Sequence, residues 1–192
     1  MRTFFKWLGI VLAGLAVGAG VAIWQIRSSG MGADITIGPW VTGRDIGTEN
    51  TDLQTRAVVA LRGLLALPKE EARYFTTRTD SAGEPLSGKC SYTVAGGPME
   101  ARWWSITLYD PEGWLIVNRW NRHSVGSAAV TPDASGNWSF TVSPGEQEGN
   151  WIPTATDGEF DLTLRTYRPR GGLASDPGSA RLPTITRGEC RS

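Results

Sequence analysis

The sequence predicts a mainly β protein: an antiparallel β-sandwich or jelly-roll-like domain with a short helical N-terminal lead-in and one transmembrane helix. Three observations carry this. Short runs of period-two alternation recur through 72–192 with no βαβ rhythm between them. The 24 Gly and 11 Pro of the 192-residue chain punctuate it into short elements. The 9 Trp and a 40% hydrophobic content supply a packed core. Lys+Arg and Asp+Glu both number 19, so no basic excess argues for nucleic acid, and no nucleic-acid partner is expected.

Residues 1–27 are read as an N-terminal anchor or uncleaved signal. Segment 4–26 is nearly free of polar groups and as long as the ~20 residues that span hydrocarbon. Arg2 and Lys6 precede the apolar run and only Arg27 follows it closely, which places the N-terminus in the cytoplasm and the remainder outside. Ala19-Gly20-Val21-Ala22 offers a peptidase a small-x-small site. The apolar run is nevertheless longer than the ~7–15 residues of a cleaved signal, and Trp7 and Trp24 stand at its ends like interfacial anchors, so retention is expected. Gly14 and Gly18 have the GxxxG spacing through which two anchors pack, a route to a homo-oligomer, although glycine is common in such helices without that role.

Residues 28–71 are expected to hold a linker, an edge strand and the helical lead-in. Pro39 removes a backbone donor from 34–42, which therefore reads as a broken or edge strand. Thr51 and Gln54 have capping-box spacing. Behind them Leu53, Ala57, Leu61 and Leu64, widened by Val58 and Leu65, predict a helix over 52–66. Pro68 with Glu70 and Glu71 predicts the first turn of a second short helix.

The β-sandwich domain is placed at 72–192, with strands at 74–78, 89–95, 103–109, 114–117, 124–131, 137–143, 160–167 and 183–187. Trp104, Ile106 and Leu108 alternate with Trp103, Ser105, Thr107 and Tyr109, the mark of a half-buried strand. Asp110-Pro111-Glu112-Gly113 has type I turn chemistry and would join that strand to 114–117. Phe160, Leu162 and Leu164 alternate with Asp161, Thr163 and Arg165. In an oxidising compartment the two cysteines, Cys90 and Cys190, imply a disulfide. It would enclose about 100 residues, worth roughly 4–5 kcal/mol by chain entropy. With a single His in the chain a Cys/His zinc cluster is excluded, and no metal or cofactor is expected.

The densest cluster of recognition chemistry is 118–124. Asn118, Arg119, Trp120, Asn121, Arg122 and His123 bring two guanidinium forks, two carboxamides, one imidazole and an indole face together, a set suited to a carboxylate, a phosphate or a sugar. The plainer reading is that Asn118 and Asn121 cap turns and the arginines solvate a loop. Asn150 and Trp151, behind a Pro/Gly-rich loop, are the second candidates, against a reading in which Trp151 plugs the sandwich. Arg102, Trp103 and Arg165 would join if their strand faces were open. Catalytic residues are not assigned: no Gly-x-Ser-x-Gly elbow and no phosphate-cradling loop is present, and Ser124 beside His123 cannot serve it as a triad partner.

Trp103 to Asp110, Gly113, the Asn118…Ser124 run, Asn150-Trp151-Ile152-Pro153 and the stretch from Phe160 to Pro169 together resemble the bacterial domain-of-unknown-function 1214 family, over roughly 72–187. The resemblance implies a β-sandwich, often following a second uncharacterised domain in longer proteins, whose place here is taken by the anchor and lead-in. It implies no activity. Set in a bacterium, the chain is expected in the inner (cytoplasmic) membrane as a single-pass protein with its β domain in the periplasm. The leading expectation is an envelope module binding a glycan, a lipid head group or a partner protein. The alternative is an envelope hydrolase or lyase acting on a saccharide, with His123 or an acid among Glu146, Glu148, Asp157 and Asp161 as base. A third reading is a structural spacer that makes its contacts through exposed tryptophans.

Overall fold

A computed structural model describes residues 2–28, 35–43, 48, 51, 53–61 and 67–191. Its elements in chain order are α1 (Arg2–Ser28), β1 (Ile35–Ile37), β2 (Trp40–Thr42), α2 (Leu53–Leu61), β3 (Ala72–Thr77), β4 (Cys90–Gly96), β5 (Ala101–Tyr109), β6 (Ser124–Gly126), β7 (Trp138–Ser143), β8 (Trp151–Pro153), β9 (Asp161–Pro169), α3 (Gly171–Ser175), a 3-10 turn (Pro177–Ser179) and β10 (Thr184–Cys190). Among the described residues, ten strands and three short or terminal helices make the fold mainly β, as the composition and alternation predict.

The strands form two sheets, ordered β1-β2-β3-β9-β5-β6 and β10-β4-β7-β8. Every pairing is antiparallel except β7 with β8. Alternation puts Trp104, Ile106 and Leu108 of β5, Leu162 and Leu164 of β9 and Phe75 of β3 into one core with Tyr92 and Val94 of β4, Phe140 and Val142 of β7, Ile152 and Ile185. Each such side chain removed from water contributes about 1.5–3 kcal/mol. At one end of this core Trp104 stacks on Trp138, with ring centroids 4.1 Å apart. Cys190 pairs with Cys90 across the β4–β10 edge, and the two form the disulfide.

Several elements differ from the sequence reading. Residues 114–117 are not a strand: β5 already has β9 along one edge and β6 on the other, so no edge remains for them. The hairpin partner of β5 is β6, reached through a 110–123 loop. Pro68 begins a turn, its carbonyl accepting from Glu71 and Ala72 at 2.8 and 3.0 Å, and β3 then starts at Ala72, so a second helix has no room. Residues 35–42 form a β1–β2 pair at the edge of the larger sheet. In α2, Thr55 and Val59 are buried while Leu53 is 83% exposed, so the apolar stripe does not start at Leu53. Leu64 and Leu65 lie outside the described residues. Two elements the sequence reading did not contain are α3 and β8.

Candidate functional site

The 110–123 loop leaves the end of β5 through the expected turn, in which Gly113 N–H donates to Asp110 O at 2.9 Å. The Asp110 carboxylate accepts the Trp114 amide at 2.7 Å. The loop is then organised by Asn118. Its Oδ1 accepts the amides of Trp120 (3.2 Å) and Arg122 (3.1 Å), and its Nδ2 lies within reach of the carbonyls of Ile116 (3.3 Å) and Arg122 (2.8 Å). This is the side-chain mimicry of a turn that Asn performs well. Asn121 follows with φ of 50°, a left-handed conformation that Asn tolerates better than most residues.

His123 closes the loop onto β5, its carbonyl accepting from Leu108 N–H at 3.0 Å. Its Nδ1 lies 3.3 Å from Asn118 Nδ2 and its Nε2 lies 3.3 Å from Asn121 Oδ1. An amide nitrogen donates and an amide oxygen accepts, so Nδ1 is placed to accept and Nε2 to donate. No carboxylate hydrogen-bonds this imidazole among the described residues.

The loop reaches the second sheet through aromatic and cationic contacts. The Trp120 ring stands edge-on to Trp151, which is 3% exposed, at 4.9 Å between centroids. Arg122 lies over the same Trp151 ring at 5.7 Å and donates to Gly149 O at 3.4 Å. Asn150 Nδ2 donates to Ala129 O at 2.6 Å. Arg119 lies over Trp120 at 4.3 Å. Asn118, Arg119, Asn121, Arg122, His123, Asn150 and Trp151 therefore converge at one edge of the sandwich.

The structure does not bring Arg102, Trp103 and Arg165 into this cluster. Arg102 is exposed at the start of β5, and Trp103 packs against Tyr167 at 5.3 Å. Both lie about 20 Å along the strand from the loop at its far end. Arg165 sits on the outward face of the larger sheet, between Ser105 and Tyr74 in register, and donates to Thr107 Oγ1 (3.2 Å) and Tyr109 Oη (2.6 Å). Of the candidate acids, Asp157 pairs with Arg191 at 3.4 Å and the buried Asp161 with Arg78 at 3.1 Å, while Glu146 and Glu148 are exposed. No cluster of three His, Cys, Asp or Glu side chains fit to hold a metal occurs among the described residues.

Sequence reasoning missed the residues the loop displays most. Trp114 is 71%, Leu115 47% and Val117 90% exposed, while Ile116 between them packs against the core. The signal that marks them is the unbroken apolar run itself, which lacks the alternation of a half-buried strand.

The family described as protein of unknown function (DUF1214) matches residues 71–171, more than half of the chain. The chain belongs to the DUF1214 family. Its match begins just before β3 and ends at the first residue of α3, so it holds the larger sheet's β3, β5, β6 and β9 and the 110–123 loop. The DUF1214 chain is similar in fold to the crystal structure of the VPA0106 protein from Vibrio parahaemolyticus, with a TM-score of 0.60 and 22% identity over 95% of this chain. It spans 45% of that longer protein. A putative uncharacterized protein from Burkholderia cenocepacia matches with a TM-score of 0.42 and 15% identity, over 64% of this chain and 31% of that one. No curated protein matches.

Proposed function

We propose that this DUF1214 chain is a membrane-tethered envelope module that binds a glycan, a lipid head group or a partner protein through its 114–122 loop. The observation that carries the reading is the exposure of Trp114, Leu115 and Val117, and of Arg119 and Arg122, on one loop pinned by Asn118 and Trp120. Isolated exposed apolar residues are ordinary on a soluble surface. Three within four positions, with Trp and Arg on the same loop, have the composition of binding hot spots. A pinned loop also loses little conformational entropy when a ligand arrives.

The placement rests on α1, whose Thr3–Trp24 stretch is long and apolar enough to cross a membrane and is 0% buried. Arg2 and Lys6 ahead of it favour a cytoplasmic N-terminus, and the Cys90–Cys190 disulfide suits an oxidising exterior. The same span would suit a signal peptide; Trp7 and Trp24 at its ends are the reason for preferring an anchor.

The test is direct binding by the detergent-solubilised full chain to envelope glycan fragments, short-chain phospholipids and, by cross-linking from position 117, envelope proteins. A ligand of the wild type should lose at least tenfold in affinity with Trp114→Ser/Val117→Ser and with Arg119→Ala/Arg122→Ala. Unchanged affinity in both variants overturns the reading.

A further inference from the structure

A buried arginine lies inside the sandwich, away from the loop. On β3, Arg73, Phe75 and Thr77 point inward, and in register Arg73 stands beside Thr166 of β9, itself opposite Trp104. Arg73 is only 6% exposed. Its Nη2 donates to Ala174 O of α3 at 3.1 Å, whereas Nε and Nη1 are buried with no hydrogen-bond partner. A guanidinium carries five N–H groups, so the one on Nε and the two on Nη1 are left unused. Unpaired buried donors are rare because each costs its full desolvation.

The charge is unmet as well. Burial lowers the Arg73 pKa, yet a guanidinium does not lose its proton in a protein. Arg187 Nε is also buried without a hydrogen bond, but it lies 3.0 Å from Asp80 Oδ2, so its charge is answered. Arg73 has no such carboxylate among the described residues. Glu70, the acid whose field reaches it, is exposed, and Glu100 points its Oε2 at the Leu173 amide, 3.3 Å away. Water would satisfy the N–H groups and leave the charge; a monoanion satisfies both.

We propose that the end of the sandwich covered by α3 holds a small monoanion, a carboxylate group or a halide, against Nε and Nη1 of Arg73. The cover is five residues long and buries one side chain, Leu173, so local opening of α3 admits the anion.

The experiment compares thermal unfolding of the full chain in detergent, at constant ionic strength, with chloride, formate or acetate replacing the bulkier isethionate. The wild type gains about 3 °C, saturating with concentration. Arg73→Met, which removes a buried charge and keeps the volume, melts in isethionate at or above the wild type and shows no anion response. The order of chloride, formate and acetate distinguishes a halide from a carboxylate site. A wild type indifferent to all three anions, or a variant that responds as the wild type does, overturns the proposal. Where chloride raises the melting temperature, broadening of the chloride-35 resonance by the wild type, reversed by formate, tests the site without the variant, and a chloride response in the melt with no broadening overturns the proposal.

Discussion

The ring of Trp120 stands edge-on to that of Trp151, 4.9 Å between centroids and 79° between planes, and this contact ties the loop that follows β5 to β8 of the other sheet. An edge-to-face pair contributes about 0.5–1.5 kcal/mol beyond the area it buries. Trp120→Ala should therefore cost about 1–3 kcal/mol and leave the sheets intact. Hydrogen exchange read by mass spectrometry should show faster exchange in 114–123 and unchanged protection in β5 and β9.

Asn118 is the second pin, bonded to Arg122 in both directions. Asn118→Ala leaves the Trp120 and Arg122 amides without their acceptor, and should cost about 1–2 kcal/mol. For a domain of this size that lowers Tm by about 2–4 °C per kcal/mol. Asn118→Asp, which keeps an oxygen for the two amides, should recover part of the loss, which a thermal melt of the three proteins will show.

The disulfide closes a loop across a sequence separation of 100. In the chain-entropy model that constraint is worth about 4–5 kcal/mol. Urea unfolding of Cys90→Ser/Cys190→Ser should show a loss of that order. A loss under 1 kcal/mol would mean that the β4–β10 ladder, and not the cross-link, holds the C-terminus.

Burial pushes the Tyr74 phenol above its ordinary pKa of 10.0, outweighing the opposing hydrogen bond from the Leu67 amide and the Arg165 charge, with the neighbouring Tyr167 adding to the rise. A raised folded-state pKa means that the folded protein holds its proton longer than the unfolded chain does. The stability involved is fully present below pH ~10 and is lost as pH rises through the folded value. Alkaline titration should show the protein weakening above pH ~10, with one tyrosine ionising late by absorbance at 295 nm. Tyr74→Phe should remove that late step.

Alternation made β5 and β9 legible, because a strand buried on one face must repeat every two residues. The disulfide was legible from two cysteines and the expectation of an oxidising compartment. β8 was not: at three residues it is too short to show a period, and its parallel partner β7 is set by tertiary packing. Residues 114–117 misled because an apolar run reads as a strand until the strand order shows that β5 has no free edge. Within the candidate site, Asn118, Arg122 and His123 could be read as a cluster. Their mutual hydrogen bonds could not, since they depend on Asn121 taking a left-handed backbone. The Trp120–Trp151 contact joins segments 31 residues apart, and no local pattern encodes it.

The central claim is that the loop carrying Trp114 and Val117 is the surface that meets a ligand. A photo-activatable amino acid at position 117, 90% exposed, in the full chain expressed in cells, tests it most directly. The account predicts a discrete adduct of lipid, glycan or protein from 117 that is lost with Arg119→Ala/Arg122→Ala and is not formed from the exposed control position 159. Equal, diffuse labelling from 117 and 159, unaffected by the arginine changes, would contradict it.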